Sequence, residues 1–338
     1  MFKSKTVAVV IPAFNVENLI VQTITTIPGF VDFIIVINDC SRDQTARLVI
    51  ESGAEVIESD GKVLYENSID KATGHTTQNP RIMLLSHQYN QGVGAAIVSG
   101  YKWCCVNGID IAVVMAGDGQ MDPADLPAII SPVACNEADY CKGNRLFTGE
   151  AWKKIPKIRY FGNSILSFLT KIASGYWHVA DSQSGYTAIN SKLLHLVNWE
   201  QTYKRYGCPN DYLVRLNVYN ARVRDVPVKP IYGIGEKSGI NIITIIPKIS
   251  LLLAKLFWFR MFHKYIIRDF HPLVFFYILG LLLTLTGAGF GLDLLLKRIT
   301  SGPVAATSGL LSVFLMTMGI QFGLFAMWFD MDYNKSLK

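Results

Sequence analysis

Charge is scarce in this chain, and scarcest towards its end. Only 17% of the 338 residues are Asp, Glu, Lys or Arg, against about a quarter in ordinary soluble domains. The deficit is local. Residues 1–240 carry charges at ordinary spacing, whereas after Asp269 only Asp293, Lys297 and Arg298 interrupt the run to Asp330. The six cysteines include no Cys-x-x-Cys pair and no ligand-like spacing, which argues against a zinc or disulfide framework and fits free thiols in a reducing compartment. A dinucleotide fingerprint is missing as well. Gly92 and Gly94 lie far from the first strand and lack the third glycine that Gly-x-Gly-x-x-Gly requires. The opening "MFKSKTVAVVIPAFN" has too short an apolar run for a signal peptide and carries a proline inside it.

What the tail does have is two long apolar spans, residues 272–296 and 304–329. A hydrocarbon core of ~30 Å takes roughly 20 helical residues, so each is long enough to cross with some tilt. The short link 297–303 makes them an antiparallel hairpin. Lys248, Lys255, Arg260, Lys264 and Arg268 precede the first span, and Lys335 and Lys338 follow the second, with only Lys297 and Arg298 between. The positive-inside bias therefore predicts an integral membrane protein with both ends, and the N-terminal domain, in the cytoplasm. The net charge of +6 owes much to this basic cluster, which points to anionic lipid and not to nucleic acid. Residues 240–268 are too basic to span and read as a kinked or two-part amphipathic helix on the membrane surface, with Pro247 in its first turn. The expected organisation is a domain over 1–238, a juxtamembrane helical segment over 239–270, two spans within 271–330 and a cytoplasmic tail over 331–338. Such an anchor permits a homo-oligomer.

The first 240 residues alternate between strand and helix signals. β-branched runs at Val7–Pro12, Phe33–Ile37, Ala54–Ile57, Ile82–Ser86 and Ile111–Met115 predict buried strands; helical stretches over Val16–Thr26, Ala46–Glu51 and Gly94–Val106 separate them. Asp43 or Ser41 caps the second helix. The expected fold class is α/β, with a mostly parallel, Rossmann-like sheet covered on both faces. Ligands of such sheets sit at the carboxyl ends of the strands. The polar stretch 58–80 interrupts this pattern and reads as a surface excursion or a lid.

Four polar clusters fall at strand ends: "IPAFNVEN" (Ile11–Asn18), "NDCSRDQT" (Asn38–Thr45), "NQGVGAAIVSG" (Asn90–Gly100) and "AGDGQMDP" (Ala116–Pro123). In the first two, Glu17 and Asp39 could meet a nucleoside. In the last, Asp118 could hold a metal ion, or the segment could merely turn a strand into a helix. Asp122-Pro123 reads as that helix start, with a water-mediated metal role left open.

In this order the motifs resemble family 2 glycosyltransferases of the GT-A fold over roughly residues 5–235. The subgroup they are most similar to is the polyprenyl-phosphate transferases, the dolichol-phosphate mannose synthase type. The resemblance implies that Pro12, Ala13, Phe14, Glu17 and Asp39, with Gly92 and Gly117, surround the nucleotide of a nucleotide-sugar donor. It places the family's Asp-x-Asp metal motif on Ala116-Gly117-Asp118, so that Asp118 and Gln120 match while Ala116 does not. It sets Arg145 of "KGNRL" near the acceptor phosphate, with Arg159 and Asn163, four apart on one helical face, as a second phosphate-holding pair. Asp181 and Gln183 of "DSQSGYTAI" would shape the sugar pocket. The last family loop falls on Lys237 and Ser238, where an Arg is often found.

Elementary chemistry agrees with that reading. A sugar-nucleotide leaving group develops negative charge, which a divalent cation, Mg2+ or Mn2+, stabilises by several kcal/mol. Such ions accept phosphate and water as most of their ligands, so one carboxylate and the Gln120 carbonyl can suffice. A polyprenyl phosphate acceptor is already anionic and needs cations, not a general base. A hydroxyl acceptor would need a base, for which Asp211 in "CPNDYL" is the candidate. A third expectation, suggested by Ala116, is a non-catalytic membrane partner.

Overall fold

The computed structural model describes residues 1–57, 81–147, 157–229, 231 and 242–338, with only the backbone of 157–161, 163 and 242–246. The stretch 58–80 and residues Lys237 and Ser238 lie outside the described residues. The chain divides into two compact units, Met1–Leu256 with Leu337–Lys338, and Phe257–Ser336.

The first unit is built on an eight-stranded sheet in the order β3-β4-β2-β1-β5-β7-β6-β8. Its strands are β1 (Val7–Ala13), β2 (Phe33–Asn38), β3 (Glu55–Ile57), β4 (Arg81–Ser86), β5 (Ile111–Val114), β6 (Tyr140–Asn144), β7 (Thr187–Asn190) and β8 (Val223–Pro227). β1 lies at the centre, with Val10 opposite Ile35 of β2 on one side and Val114 of β5 on the other. Because successive side chains point to opposite faces, "VAVVI" feeds two cores at once. Ala8 and Val10 pack with Ile35 and Ile37 under one layer; Val7, Val9 and Ile11 pack with Ile34 and Val36 under the other. A strand buried on both faces must be apolar throughout, which is why this one reads as a continuous run. β7 alone is reversed, antiparallel to both β5 and β6. It inserts between them, so β6 and β8 still run in the direction of β5.

The helices of this unit are α1 (Ile20–Thr25), α2 (Thr45–Glu51), α3 (Val93–Val106), α4 (Leu126–Ala134), α5 (Lys157–Ser174), α6 (Ser191–Leu196) and α7 (Cys208–Val218). α1 is shorter than its sequence pattern: Glu17–Leu19 is turn, the Val16 and Glu17 amides donating to the Thr45 and Asp43 side chains and the Leu19 amide to the Val16 carbonyl. Asp122 caps the short 3-10 turn Pro123–Asp125 that leads into α4, its carboxylate accepting from the Ala124 N–H at 2.9 Å. α3 lies so close to β1 that a Cβ on Gly100 would come within 2.2 Å of Val10 Cγ1. All six cysteines are free.

The second unit holds the end of α8 (Ile242–Phe262), a π-helical turn (His263–Arg268), and the two long helices α9 (Leu273–Thr300) and α10 (Ala306–Tyr333). Both of the latter are long and apolar enough to cross a membrane. They pack as a hairpin at small residues: a Cβ on Gly280 would sit 2.9 Å from the Gly319 carbonyl, and one on Gly319 would sit 2.5 Å from the Thr284 backbone nitrogen. Two expectations for the segment before them are corrected. Pro247 lies beyond the first turn, since α8 already begins at Ile242. Arg260 and Lys264 are buried, at 0% and 1% exposure, and do not present their charge outward. Arg260 forms a bidentate pair with Asp330 (2.7 and 3.0 Å), Tyr265 donates to the same carboxylate at 2.6 Å, and Lys264 donates to Asn334 at 2.7 Å. A charge out of water must be paired and hydrogen-bonded, and Asp330, 70 residues on, supplies the pairing.

The close approach of α3 to β1 gives a direct test. Gly100→Ala should lower folding stability by roughly 1–3 kcal/mol through overpacking, read as a drop in the thermal or denaturant midpoint of the first unit. Adding Val10→Ala should recover part of that loss. An unchanged midpoint in the single variant would contradict the packing described.

Candidate active site

The four polar clusters read from the sequence fall at one end of the sheet, where β1, β2, β4, β5, β6 and β8 end and β7 begins. Along this edge a half centred on Asp39 and an arginine-bearing half lie on either side of the loop after β5.

In the first half, the turns after β1 and β2 are laced together. Asn15, at φ +54°, donates its N–H to Ser41, Val16 to Thr45 and Glu17 to Asp43, while Glu17 accepts from the Gln44 N–H at 2.9 Å. Pro12 and the buried Ala13 hold the strand end, and Phe14 is exposed at 45%. Asp43 is held below the usual carboxylate range, because the hydrogen bonds from Thr45 and Glu17 outweigh the effect of burial.

Asp39 is the hub of this half. It is 2% exposed, and its carboxylate accepts from the Gln91 N–H (2.9 Å), the Gly92 N–H (2.8 Å) and His87 Nδ1 (2.8 Å). His87 Nε2 in turn meets the Ser99 hydroxyl at 2.9 Å. Asp39 thus fixes the loop that carries Gly92, and sequence reasoning missed His87 because nothing in the chain order ties it to Asp39. Gly92 adopts φ +98°, and a Cβ there would strike the Lys204 carbonyl at 2.5 Å. The first amides of α3 are engaged by the same segment, since Gly94 and Ala95 donate to the Lys204 carbonyl.

The loop after β5 carries Gly117, Asp118 and Gln120. Asp118 accepts from the Gln120 N–H at 3.1 Å, closing a turn just past the strand end. Among the described residues, no group of three or more His, Cys, Asp or Glu could hold a metal ion. The donor set present is one carboxylate and one amide carbonyl, both hard oxygens. It fits a Mg2+ or Mn2+ ion whose remaining ligands are phosphate and water. Tyr186 steadies the loop by donating to the Asp122 carbonyl at 2.9 Å.

The second half is a clamp. Arg145, just past β6, donates from Nε to Asp181 Oδ2 (2.7 Å) and from Nη2 to Oδ1 (3.2 Å), and its backbone N–H also reaches Oδ2. Asp181 is 1% exposed and additionally accepts from the Gln183 and Ser184 amides. Burial would raise its pKa, but the Arg145 guanidinium, with Lys142 behind it, holds the carboxyl below its ordinary value. Gln183 turns its amide towards Ser182 and Asn210, at 2.8 and 2.9 Å, so its side chain braces the loop.

Beneath the clamp lies Lys142, 0% exposed, which donates to the Ser184 carbonyl. Asp225 of β8 lies alongside, in register with Lys142. Burial pushes the Asp225 carboxyl up to about 6, against the opposing pull of the Ala180 N–H and Lys142. Sequence reasoning missed Asp225 because "RVRDVP" places it among charged neighbours, the pattern of an exposed edge strand.

Arg159 and Asn163 lie one turn apart on the α5 backbone; their side chains fall outside the described residues. Asp211 sits in the first turn of α7 and is 1% exposed. It accepts from the Tyr203 N–H at 2.5 Å and from Arg215 Nε at 2.9 Å, and thereby pins the segment that covers the start of α3. Burial raises its pKa, countered by Arg215.

Comparison with known proteins places this geometry. Residues 51–196 match the sequence model described as Glycosyl transferase family 2. The UDP-N-acetylglucosamine--dolichyl-phosphate N-acetylglucosaminyltransferase of Methanococcus voltae is 30% identical over 229 residues, 68% of this chain and 86% of that protein. The undecaprenyl-phosphate mannosyltransferase of Micrococcus luteus is 26% identical over 160 residues, 47% of this chain and 65% of that protein. Among solved structures, glucosyl-3-phosphoglycerate synthase from Mycobacterium tuberculosis, crystallised with Mn2+ and UDP, superposes with a TM-score of 0.52 at 18% identity, covering 76% of this chain and 80% of that one. Mannosyl-3-phosphoglycerate synthase from Rubrobacter xylanophilus does so at 0.51 and 13%, covering 79% and 77%. At such identities the structural likeness speaks for the fold alone, which is GT-A, and the sequence matches speak for the activity: the chain belongs to glycosyl transferase family 2.

Proposed function

We propose that the protein transfers a single sugar from a nucleotide-sugar donor to polyprenyl phosphate, with inversion at the anomeric carbon, on the cytoplasmic face of a membrane. The observation that carries this reading is the contrast between Arg145 and Asp211. An arginine is fixed at the strand-end edge by a buried carboxylate. The carboxylate that a hydroxyl acceptor would need as its base is instead buried and committed to Tyr203 and Arg215. A lipid phosphate brings its own anionic nucleophile and leaves no proton to remove. The names of the relatives from Methanococcus voltae and Micrococcus luteus, both polyprenyl-phosphate sugar transferases, support the same acceptor class. The two long apolar helices suit an enzyme whose acceptor is a lipid.

In this reading the loops organised by Asp39 hold the nucleoside. Arg145, with Arg159 and Asn163, positions the acceptor phosphate for in-line attack. An acceptor oxygen bonds to the anomeric carbon as the bond to the donor diphosphate breaks, and the electron pair leaves with the nucleoside diphosphate. Asp118 and Gln120 would hold a divalent ion, Mg2+ or Mn2+, which when bound supplies positive charge to the departing diphosphate. Placement on the cytoplasmic side rests on basic residues: Lys248, Lys255 and Arg268 precede the spans and Lys335 and Lys338 follow them, against only Lys297 and Arg298 in the last turn of α9. Lys237 and Ser238 remain candidates for further donor contacts.

Membranes carrying the protein, incubated with a panel of labelled sugar nucleotides and a short polyprenyl phosphate, should yield chloroform-extractable label from one donor. Label only in water-soluble sugar would overturn the reading. Asp118→Ala should lower turnover by about 100-fold or more, as expected for loss of several kcal/mol of charge stabilisation. Chelation should abolish transfer, Mg2+ or Mn2+ should restore it, and metal binding should be weak without donor and tighten with it. Full activity of Asp118→Ala would sink the metal assignment. Asp211→Asn should leave turnover per folded molecule within a few-fold of wild type, whereas loss of a general base costs roughly 10²–10⁴-fold.

A further inference from the structure

Asp225 has no place in the chemistry described so far, yet it touches both partners of the arginine clamp at one remove. Its Oδ2 accepts from the Ala180 N–H at 2.7 Å and from the Asn144 side-chain amide at 3.3 Å. Ala180 immediately precedes Asp181, and Asn144 immediately precedes Arg145. A single carboxylate oxygen therefore ties together the two chain segments whose next residues are the clamp. Asn144 extends the tie, since its Oδ1 accepts from the Leu146 N–H at 2.9 Å and so bridges across Arg145. On the other side, Lys142 holds the Ser184 carbonyl, closing the turn whose amides bond Asp181.

Among the described residues, the second Asp225 oxygen is buried without a hydrogen-bond partner. A half-satisfied buried carboxylate is costly, and a position that needed only an acceptor for Ala180 and Asn144 would be served as well by an amide. The carboxylate instead lies in a charged cluster with Lys142, Asp181 and Arg145, with Lys171 of α5 a further cation facing it. Lys142 meets both Asp181 and Asp225, Asp225 also meets Asp181, and the Arg145 guanidinium is held by its own bonds to Asp181.

We propose that Asp225 is a positioning residue for the acceptor phosphate: it sets the spacing between the Arg145 and Asp181 segments, so that Arg145 is presented in one orientation to an anionic acceptor group. The inference deepens the proposed function and rests on its assignment of Arg145 to the acceptor. It separates Asp225 from the donor half of the site, with which, among the described residues, it shares no hydrogen bond.

The test uses the full-length protein in lipid nanodiscs and two independent readouts. The first is steady-state transfer to a short polyprenyl phosphate. Asp225→Ala should raise the acceptor KM about tenfold or more while donor KM and kcat stay within about twofold, because misplacing a positioning group is felt chiefly by the ligand it orients. Asp225→Asn, which keeps an oxygen for Ala180 and Asn144 but removes the charge, should recover only part of the loss. Asp225→Glu, which keeps the charge but displaces the oxygen, should not, and it serves as the test variant if the alanine form does not fold. The second readout needs no substrate: the rate at which phenylglyoxal modifies Arg145, measured by peptide mass spectrometry, should rise several-fold in Asp225→Ala or Asp225→Glu. An unchanged acceptor KM and unchanged Arg145 reactivity, in a protein that still glycosylates the lipid, would overturn the inference and leave the proposed function standing. Faster Arg145 modification in a protein that glycosylates no lipid phosphate would support the positioning role and overturn the acceptor assignment.

Discussion

A carboxylate taken out of water has to be met by donors and charge, and the working edge of this sheet is organised by that requirement. Asp39, Asp181 and Asp211 are each no more than 2% exposed. Each accepts from backbone amides of another segment: Gln91 and Gly92 for Asp39 and Arg145 for Asp181, both remote in sequence, and the nearby Tyr203 for Asp211. The carboxylates therefore act as knots between strand-end loops. Removing one would leave its buried donors without partners, which opposes any other arrangement of the loops. Loops fixed in this way can hold a donor and an acceptor at a set distance without moving when they bind.

The same logic holds in the second unit. The Arg260–Asp330 pair, closed by Tyr265 and Asn334, joins the segment before the first long helix to the end of the second. Such a network specifies a register more than it adds stability. The small-residue contacts at Gly280 and Gly319 are the complementary device, since they let the backbones of the two long helices approach closely.

How much of this was legible in the sequence follows from where each constraint is written. The central strands were legible because burial on both faces leaves an uninterrupted apolar run, as in Val7–Ala13. The helix start at Asp122-Pro123 was legible because capping is local chemistry. The family resemblance was legible because its motifs occur in order, and the sequence matches bear it out. The reversed strand β7 was not legible: "TAIN" is four residues long, and its position between β5 and β6 depends on pairings made elsewhere. Nor were Asp225, His87 or the inward turn of Arg260 and Lys264. In each case the partner that makes the buried polar group tolerable lies 45 to 70 residues away. Local pattern then reads the residue by its polarity alone and places it at the surface.

The central claim is that the nucleophile is a phosphate oxygen, oriented by Arg145 and requiring no base. Its most direct test is the product itself. Proton and phosphorus NMR of the extracted lipid should show a sugar joined through its anomeric carbon to a phosphodiester, with the anomeric configuration opposite to that of the donor. A sugar attached to a hydroxyl of the lipid, or an anomeric configuration retained from the donor, would contradict the account.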